Sequence, residues 1–256
     1  MIKVQEIVSL VYECGDILRS ASVEVVYNKN NNSKNLLTDY DLKIQEMLQS
    51  GLYKIMPEAS FLGEEGEQYY NKEGFCFVCD PIDGTTNFVM GYRGSGISVA
   101  LLKEGKPVLG VIYNPYLDEM YVAEIGKGAT CNGEKITTKD KRIKDSVVIF
   151  GTGGNRVDEV FDLAKDYFKK GIDIRRFGAA VIDLTNVARG SAAMFFELYL
   201  NPWDYCAGAL IVNEAGGVVL TEDGNILEDY FAQSTIFAFA SKEEAEKYVE
   251  SKRLCL

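Results

Sequence analysis

The spacing of apolar residues divides the chain into two regions that are built differently. Apolar positions recur every three or four residues over 2–27 and again over 42–56, which predicts two amphipathic helices. From about residue 59 to 137 the apolar runs are short and are separated by Gly, Asn and Pro, and this pattern predicts an antiparallel sheet. Between the two helices, the polar segment NKNNNSKN predicts a mobile surface loop.

Beyond the charged stretch 137–146 the pattern alternates between short apolar runs and amphipathic segments. We expect strands at 147–151, 172–176, 192–198, 217–221 and 235–240, and helices at 156–170, 178–189, 204–215 and 242–251. The expected fold class is a two-lobed, layered α/β (α+β) fold, with an N-terminal lobe 1–141 that carries the antiparallel sheet and a C-terminal lobe 142–256. No long linker separates the lobes, so they should share an interface.

Composition excludes several classes of protein. The 256 residues include no histidine, and 27 Lys and Arg against 38 Asp and Glu give a net charge of −11. Without imidazole there can be no Ser-His-Asp hydrolase, no His-ligated zinc enzyme and no histidine general base. The negative charge disfavours nucleic acid as a partner, because phosphodiester backbones bind through Lys and Arg. No segment has the ~18 consecutive apolar residues of a membrane span, and the N-terminus lacks the apolar core of a signal peptide.

The cysteines give little indication of function. Cys76 and Cys79 form a C-x-x-C sequence, a spacing found in redox pairs and in zinc sites. Three positions apart on a strand they would point to opposite faces, and no second pair or histidine completes a zinc site. We therefore expect the six cysteines to be ordinary buried thiols of a cytoplasmic protein.

The segment DPIDGTTNF carries the strongest chemical signal. It follows the apolar run GFCFVC, so Asp80 would leave a strand and Pro81 would force an extended turn towards Asp83. Two carboxylates would converge there, and Gly84 followed by Thr85 would begin a helix whose free N–H groups suit an anion. The alternative is an ordinary surface turn, because Asp, Pro and Gly favour turns in every kind of protein.

Other acidic positions have modest signals of their own. Glu64 and Glu65 follow an apolar strand in FLGEEG, where adjacent glutamates are also typical of a solvated strand end. Asp204 begins an apolar helix after the dipeptide PW, in the position of an N-cap. Asp41 stands similarly before LKIQEML, and an N-cap role there would be compatible with a role in a site.

Taken together, GEE, DPIDGTTNF and WDYCAGALIVNEAGG, in this order, closely resemble the inositol monophosphatase family of magnesium-dependent, lithium-sensitive phosphatases, which is allied to fructose-1,6-bisphosphatase. The resemblance covers nearly the whole chain, since LTDYD, GKGA and RRFGAAVIDLTNVARG also occur in the family's order. It implies a sugar-phosphatase fold, a small phosphate monoester as substrate, and a homodimer.

The resemblance also implies a site for two or three Mg²⁺ ions. The first ion would be bound by Glu64, Asp80 and the carbonyl of Ile82. The second would be bound by Asp80, Asp83 and Asp204, and Glu64 would contribute to a weaker third site. Hard oxygen ligands suit Mg²⁺, and paired ions would hold the phosphate ester and activate the attacking water.

Catalytic roles follow from the resemblance in the same way. Thr85 would share the hydrogen-bond network of the attacking water, with Asp41 polarising its hydroxyl. Glu65 would lie nearby as a further acid, and the N–H groups of Gly84 and Thr85 would bind the phosphate.

The leaving group would be recognised mainly from the C-terminal lobe. The resemblance implies contacts of substrate hydroxyls with Asp83, Glu197 and the backbone of residues 178–180, including Ala180, although Glu197 by itself could be an exposed strand end. The chain departs from the animal inositol enzymes at Asn201, where those carry a histidine, so its edge for sugar recognition differs.

Two arginines bear on whether the site could bind a substrate with a second phosphate. Arg176, next to Arg175, is a candidate anchor for a second phosphate through bidentate contacts, but we favour surface charge or a dimer contact for both. The expected function is Mg²⁺-dependent hydrolysis of an inositol monophosphate of the myo-inositol 1-phosphate type. The alternatives are fructose-1,6-bisphosphatase or dual activity, a nucleotide 3′-phosphatase, and a catalytically inactive phosphate-binding or regulatory relative.

Overall fold

The computed structural model describes residues 2–21, 26–28, 36–66 and 70–253. The helices are α1 (Val4–Ser20), α2 (Asp39–Ile55), α3 (Thr85–Val89), α4 (Val157–Lys170), α5 (Ala180–Ala188), α6 (Pro202–Glu214) and α7 (Lys242–Arg253). The strands are β1 (Val26–Asn28), β2 (Leu36–Thr38), β3 (Ser60–Gly63), β4 (Phe75–Asp83), β5 (Gly96–Lys103), β6 (Lys106–Asn114), β7 (Glu119–Glu124), β8 (Gly128–Cys131), β9 (Glu134–Ile136), β10 (Val147–Phe150), β11 (Asp173–Arg175), β12 (Met194–Leu200), β13 (Val218–Leu220) and β14 (Ser234–Phe239). Within these ranges, no helix is long and apolar enough to cross a membrane.

The larger sheet has the strand order β3-β4-β5-β6-β7-β8-β9. Neighbours from β4 to β9 are antiparallel, as predicted, but β3 runs parallel to β4. The prediction of an antiparallel sheet is therefore wrong at this edge. An apolar run indicates where a strand lies but not its direction, which depends on the path of the connection between the strands.

Helices cover both faces of this sheet. On one face, α1 and α2 bury residues such as Val11 and Leu48 against Phe77. On the other face, α5 and α6 bury residues such as Ala207 against Val78. The alternation of side chains along β4 supplies both cores at once, because successive residues of a strand point to opposite faces.

The second sheet has the order β11-β10-β12-β14-β13 and is mixed. Strand β10 is parallel to β11 and β12, whereas β14 is antiparallel to β12 and β13. Phe195 lies on the face that packs against α5 and α6, and Phe196 and Phe237 lie on the face that packs against α4 and α7. Helices and sheets thus alternate in five layers, and the predicted layered α/β fold is confirmed.

The observed ends of the helices show where the spacing of apolar residues predicted wrong boundaries. The four predicted helices of the C-terminal region are confirmed to within two residues at each end. The first helix, predicted over 2–27, instead ends at Ser20, and Val26–Asn28 pairs with β2 because the VVY run consists of strand-forming residues. Helix α2 begins at Asp39 rather than at 42, after an N-cap at Thr38. The predicted loop NKNNNSKN lies, except for Asn28, outside the described residues.

The C-x-x-C pair behaves as its strand spacing predicts. Cys76 packs with α5 and α6, whereas Cys79 packs with α1 and α2 on the opposite face. The cysteines in the described part of the chain are free, and those other than Cys131 are buried. Burial raises the pKa of the Cys79 thiol well above its usual value, which makes it unreactive.

Candidate active site

Parallel pairing of β3 with β4 brings two acidic segments to one edge of the larger sheet. Gly63 pairs with Cys79, so Glu64 follows β3 at the level where Asp80 stands on β4. Glu65 is buried, and its backbone is clamped by Gln45 of α2, whose side-chain oxygen accepts the Glu65 N–H at 2.8 Å while its Nε2 donates to the Glu65 carbonyl at 2.6 Å. A solvated strand end is therefore the wrong interpretation of Glu65.

The DPID segment is part of a strand rather than a surface turn. Strand β4 continues to Asp83, with an irregular register between Asp80 and Asp83 that accommodates Pro81. Asp80 is buried and accepts the N–H of Ile82 at 2.9 Å. Asp83 accepts the N–H of Val181, in the first turn of α5, at 2.7 Å. Each carboxylate therefore has one oxygen fixed by the backbone.

Asp204 reaches the same place from the start of α6. The N-cap is Asn201, and Asp204 is the N3 residue, whose carboxylate accepts the Asn201 N–H at 2.7 Å. The hydroxyl of Ser98, which stands beside Asp80 on β5, donates to the Trp203 carbonyl at 3.2 Å and holds α6 against the sheet. As a result, one oxygen from each of Asp80, Asp83 and Asp204 lies within 4.8 Å of the others.

The electrostatics of this carboxylate cluster favour either bound protons or a bound cation. Burial, then the charges of Glu64 and Asp83, raise the pKa of Asp80 well above its usual value. Burial, then Asp83 and Glu64, do the same to the pKa of Asp204, and burial raises the pKa of Asp83 to about 8. Carboxylates held this close repel one another, and a divalent cation would relieve the repulsion. The all-oxygen donor set fits a hard cation such as Mg²⁺.

Thr85 stands beside the cluster in contact with Asp41. Its hydroxyl oxygen lies 3.3 Å from Asp41 Oδ1 and 3.1 Å from the Ile82 carbonyl oxygen. Asp41 is not the N-cap of α2, as one interpretation predicted, but its N3 residue. Its other oxygen accepts the N–H of Thr38 at 2.7 Å and the Thr38 hydroxyl at 2.6 Å. Capping therefore uses one oxygen and leaves the second for Thr85.

Gly84 lets α3 begin directly after the carboxylates. It has a left-handed backbone (φ 81°), and a Cβ there would come within 2.9 Å of Ala179. Asn87 then joins α3 to the segment before α5, because its amide donates to the carbonyls of Gly94 and Phe177, both at 2.8 Å. The N–H groups at the start of α3 and the backbone of residues 178–180 thereby become neighbours.

Glu197 lies within β12, where the register with β14 becomes irregular, and it is buried, so an exposed strand end is the wrong interpretation. Its Oε1 accepts the N–H of Gly153 at 2.6 Å. Burial raises the pKa of Glu197 to about 7, and the charge of Asp204 acts in the same direction. Asp183 of α5 is also buried near Glu197 and Asp83; neither of its oxygens has a hydrogen-bond partner among the described residues, and burial raises its pKa well above the usual value.

The remaining predicted substrate residues are Arg176 and Asn201. Arg176 is exposed, its Nε donates to the Thr152 hydroxyl oxygen at 3.0 Å, and its charge lowers the pKa of Glu197. Arg175 is paired with Asp173 instead. The side-chain oxygen of Asn201 accepts a hydrogen bond from Gln233 at 3.0 Å.

Two residues that build the site carried no signal in the sequence. Gln45 and Ser98 are uncharged polar residues in ordinary helix and strand contexts, and each acts through a hydrogen bond to a distant backbone. Asn87 lies within the recognised segment DPIDGTTNF, but its hydrogen bond to the Phe177 carbonyl was not predicted. Only the folded structure shows which backbone groups these side chains bind. The polarity of Asp183 within the apolar helix AVIDLTNVA was a visible signal, but it did not indicate which charges surround it.

Comparison with known proteins agrees with this geometry. A sequence profile of the inositol monophosphatase family matches residues 3–255. Inositol monophosphatase 1 of Bos taurus is 30% identical over 251 residues, which are 94% of this chain and 90% of the bovine protein. The chain belongs to the inositol monophosphatase family. A Thermotoga maritima member named fructose-1,6-bisphosphatase/inositol-1-monophosphatase is 34% identical over 210 residues, 82% of this chain and 80% of that protein.

Solved structures of the inositol monophosphatase family share the fold. The Thermotoga maritima IMPase superposes with a TM-score of 0.86 at 31% identity, covering 98% of both chains. An IMPase/NADP phosphatase complexed with Mg²⁺ and phosphate superposes with a TM-score of 0.84 at 26% identity, covering 95% of this chain and 93% of the other. Family membership makes this chain a phosphatase, an enzyme that hydrolyses phosphate monoesters.

Proposed function

We propose that this enzyme is a Mg²⁺-dependent phosphatase that hydrolyses an inositol monophosphate of the myo-inositol 1-phosphate type. The observation that carries the proposal is the cluster of Asp80, Asp83 and Asp204, whose oxygens converge within 4.8 Å. Carboxylates in such a cluster would be mutually destabilising without a cation, and Mg²⁺ prefers this kind of ligand.

The candidate ligands would form two groups that share Asp80. Glu64 and the Ile82 carbonyl would join Asp80 at one ion, and Asp83 and Asp204 would join it at the second. A weaker third ion at Glu64 belongs to the same proposal. When bound, Mg²⁺ would neutralise the charge of the phosphate and of the leaving oxygen and would acidify the attacking water.

The residues of the chain itself provide orientation. The Thr85 hydroxyl would hold the attacking water in line with the phosphorus, and Asp41 would accept the hydroxyl proton of Thr85 and fix its direction. The N–H groups of Gly84 and Thr85 would bind a phosphate oxygen. Glu65, buried and fixed by Gln45, would be the nearby acid that completes this hydrogen-bond network.

The leaving-group side favours an uncharged polyol. Asp83, Glu197 and the backbone at Ala180 would accept or donate hydrogen bonds to hydroxyls, with Asn201 at the edge. Asp183 and Glu197 are buried carboxyl groups, the positive charge of Arg176 opposes the rise in the pKa of each, and Asp83 lies close to both. A second phosphate would meet this acidic surface, so a monophosphate should be the better substrate.

Dual activity towards fructose 1,6-bisphosphate is the second candidate. The name of the Thermotoga maritima relative includes both activities. In this chain the available anchor would be Arg176, since Arg175 is paired with Asp173. A single exposed arginine supports slow rather than preferred use of the bisphosphate.

Phosphate release from a panel of esters tests these proposals. The purified protein should release phosphate from inositol 1-phosphate with Mg²⁺, should stop in excess chelator, and should be inhibited by Li⁺. A nucleotide 3′-phosphate and fructose 1,6-bisphosphate complete the panel. No metal-dependent release from any ester would overturn the proposal and favour a phosphate-binding relative without activity.

We also propose a homodimer. Val157, Phe161 and Phe168 are exposed on one face of α4, and Phe177 is exposed nearby in the chain. Light scattering would show a mass of twice 28.4 kDa for a dimer. A monomer at micromolar concentration would contradict it.

A further inference from the structure

The loop between β10 and α4 has an unusual composition for its position. Its sequence is Gly-Thr-Gly-Gly over residues 151–154, and it leads from a buried strand into the exposed helix α4. The turn explains Gly154, whose φ is 76°, but not Gly151 and Gly153, which do not have a positive φ. The contacts of the loop explain them.

The loop is wrapped around the Glu197 carboxylate. The Gly151 N–H donates to the Phe196 carbonyl at 3.0 Å, which fixes the loop beside β12. The Gly153 N–H donates to Glu197 Oε1 at 2.6 Å. A Cβ at Gly151 would lie 1.8 Å from Glu197 Oε2 and 2.1 Å from its carboxyl carbon. The carboxylate therefore occupies the space that a side chain at residue 151 would need.

The same loop holds the cation that faces this carboxylate. Thr152 accepts the hydrogen bond from Arg176 Nε at 3.0 Å, and the charge of Arg176 stabilises the ionised form of Glu197. Gly151, Thr152 and Gly153 therefore fix the position and direction of the Glu197 carboxylate. Through Arg176, the same loop also favours its ionised form.

We propose that loop 151–154 is the specificity-determining element of this active site, because it fixes the Glu197 carboxylate for a hydroxyl of the leaving group. This inference rests on the proposed function, in which Glu197 contacts a polyol. Gly151 is a positioning residue, since it acts through Glu197. A carboxylate that is held in one direction accepts a hydroxyl better than one that rotates, because less freedom is lost on binding.

Gly151→Ala is the variant that tests the proposal most directly. The atoms that the new methyl group would displace belong to the end of a flexible side chain, so Glu197 can rotate away. Gly51→Ala is the matched control, because its methyl group would displace only the tip of Leu10, and Gly51 lies ten residues beyond Asp41 on α2.

The readout is selectivity between two esters. Inositol 1-phosphate has a hydroxylated leaving group, whereas phenyl phosphate offers no hydroxyl to Glu197. Gly151→Ala should lower kcat/KM for inositol 1-phosphate by roughly tenfold to a hundredfold, the effect of losing a hydrogen bond to a charged group, and should lower kcat/KM for phenyl phosphate by less than about threefold. Gly51→Ala should leave the ratio of the two values unchanged. An equal loss on both esters would overturn the proposal.

A double-mutant comparison shows whether Gly151 acts through Glu197. Combining Gly151→Ala with Glu197→Ala should be no worse for inositol 1-phosphate than Glu197→Ala alone, because the displaced carboxylate is already gone. Independent, multiplicative losses would overturn the proposal. A wild-type enzyme that hydrolyses neither ester would instead refute the proposed function.

Thr152 provides a second route if Gly151→Ala does not fold. Thr152→Val removes the oxygen that holds Arg176 and should lower kcat/KM for inositol 1-phosphate by about threefold to tenfold. Thr152→Ser keeps the hydroxyl and should restore the value. Loss in Thr152→Ser equal to that in Thr152→Val would contradict a role of the hydroxyl.

Discussion

The two sides of the active site differ in how their side chains are held. On the metal side, Asp80 and Asp83 come from β4 and Asp204 from α6, and each has one oxygen fixed by a backbone N–H. On the leaving-group side, Glu197 is fixed by a loop and Arg176 is exposed. A metal site needs several oxygens in one fixed arrangement, whereas a hydroxyl contact depends on a single carboxylate held in one direction. In the proposed function the first side would set the chemistry, and the second would set substrate preference.

Among the changes that test this contrast, removal of a metal ligand should have the largest effect on activity. Asp83→Asn and Asp204→Asn should each lower kcat on the order of 10³-fold, because each removes charge from the second ion while preserving shape. Circular dichroism should show an intact fold. Asp162→Asn, an exposed position on α4, is the control and should retain full turnover. Near-wild-type activity of either ligand variant at saturating Mg²⁺ would remove that residue from the site.

The next effect concerns orientation of the attacking water. Thr85→Val should lower kcat about a hundredfold, because the hydroxyl next to Asp41 is lost, whereas Thr85→Ser should keep most of the activity. Thr86→Val alters the exposed neighbouring threonine and serves as the control. Equal rates for Thr85→Val and Thr85→Ser would show that the hydroxyl does not act in the reaction.

A smaller effect is expected on the leaving-group side. Arg176→Ala should lower kcat/KM for fructose 1,6-bisphosphate about tenfold, and that for inositol 1-phosphate by less, because a second phosphate needs a cation. Arg175→Ala is the control, since Arg175 is paired with Asp173. A wild-type preference for the bisphosphate of tenfold or more would reverse the proposed ranking of substrates.

The smallest expected effect is a dependence of the stability of the metal-free protein on pH. Burial raises the pKa of Asp83 to about 8 in the metal-free protein, so the folded state keeps a proton there that the unfolded state has already lost. The stability contributed by this group is complete below the unfolded pKa and is lost as pH rises through the folded pKa. The metal-free protein should therefore lose stability between about pH 4 and about pH 8.

Binding of Mg²⁺ should oppose this loss, because the cation requires ionised ligands. The rise in Tm on adding Mg²⁺ should be about 2–4 °C larger at about pH 8 than at about pH 6, which corresponds to ~1 kcal/mol for a protein of this size. The chain has no histidine, so no imidazole titrates in this range, but Glu197 does, because burial raises its pKa to about 7. Calorimetry that shows the same rise at both pH values would contradict the raised pKa.

The extent of the prediction from sequence can be followed through single residues. Asp80 and Asp83 were recognisable because acids followed by Gly and Thr at the end of an apolar run have a chemical meaning within one short segment. Asp41 and Asp204 were recognised as site residues through the family resemblance, and the alternative interpretation of each as an N-cap is wrong, because both are N3 residues. The N-cap and N3 positions of a helix are about one helical turn apart, and residue propensities do not locate a helix end that accurately.

The sequence by itself determined the layered α/β class, the helices of the C-terminal region, the absence of histidine chemistry and the family, because periodicity, composition and contiguous motifs are local properties. Only the tertiary structure decided that β3 runs parallel to β4, which places Glu64 beside Asp80, and that loop 151–154 surrounds Glu197. Strand direction and the partner of a buried carboxylate depend on contacts between residues far apart in the chain. No local pattern of side chains encodes those contacts, since they are selected by the packing of the whole core.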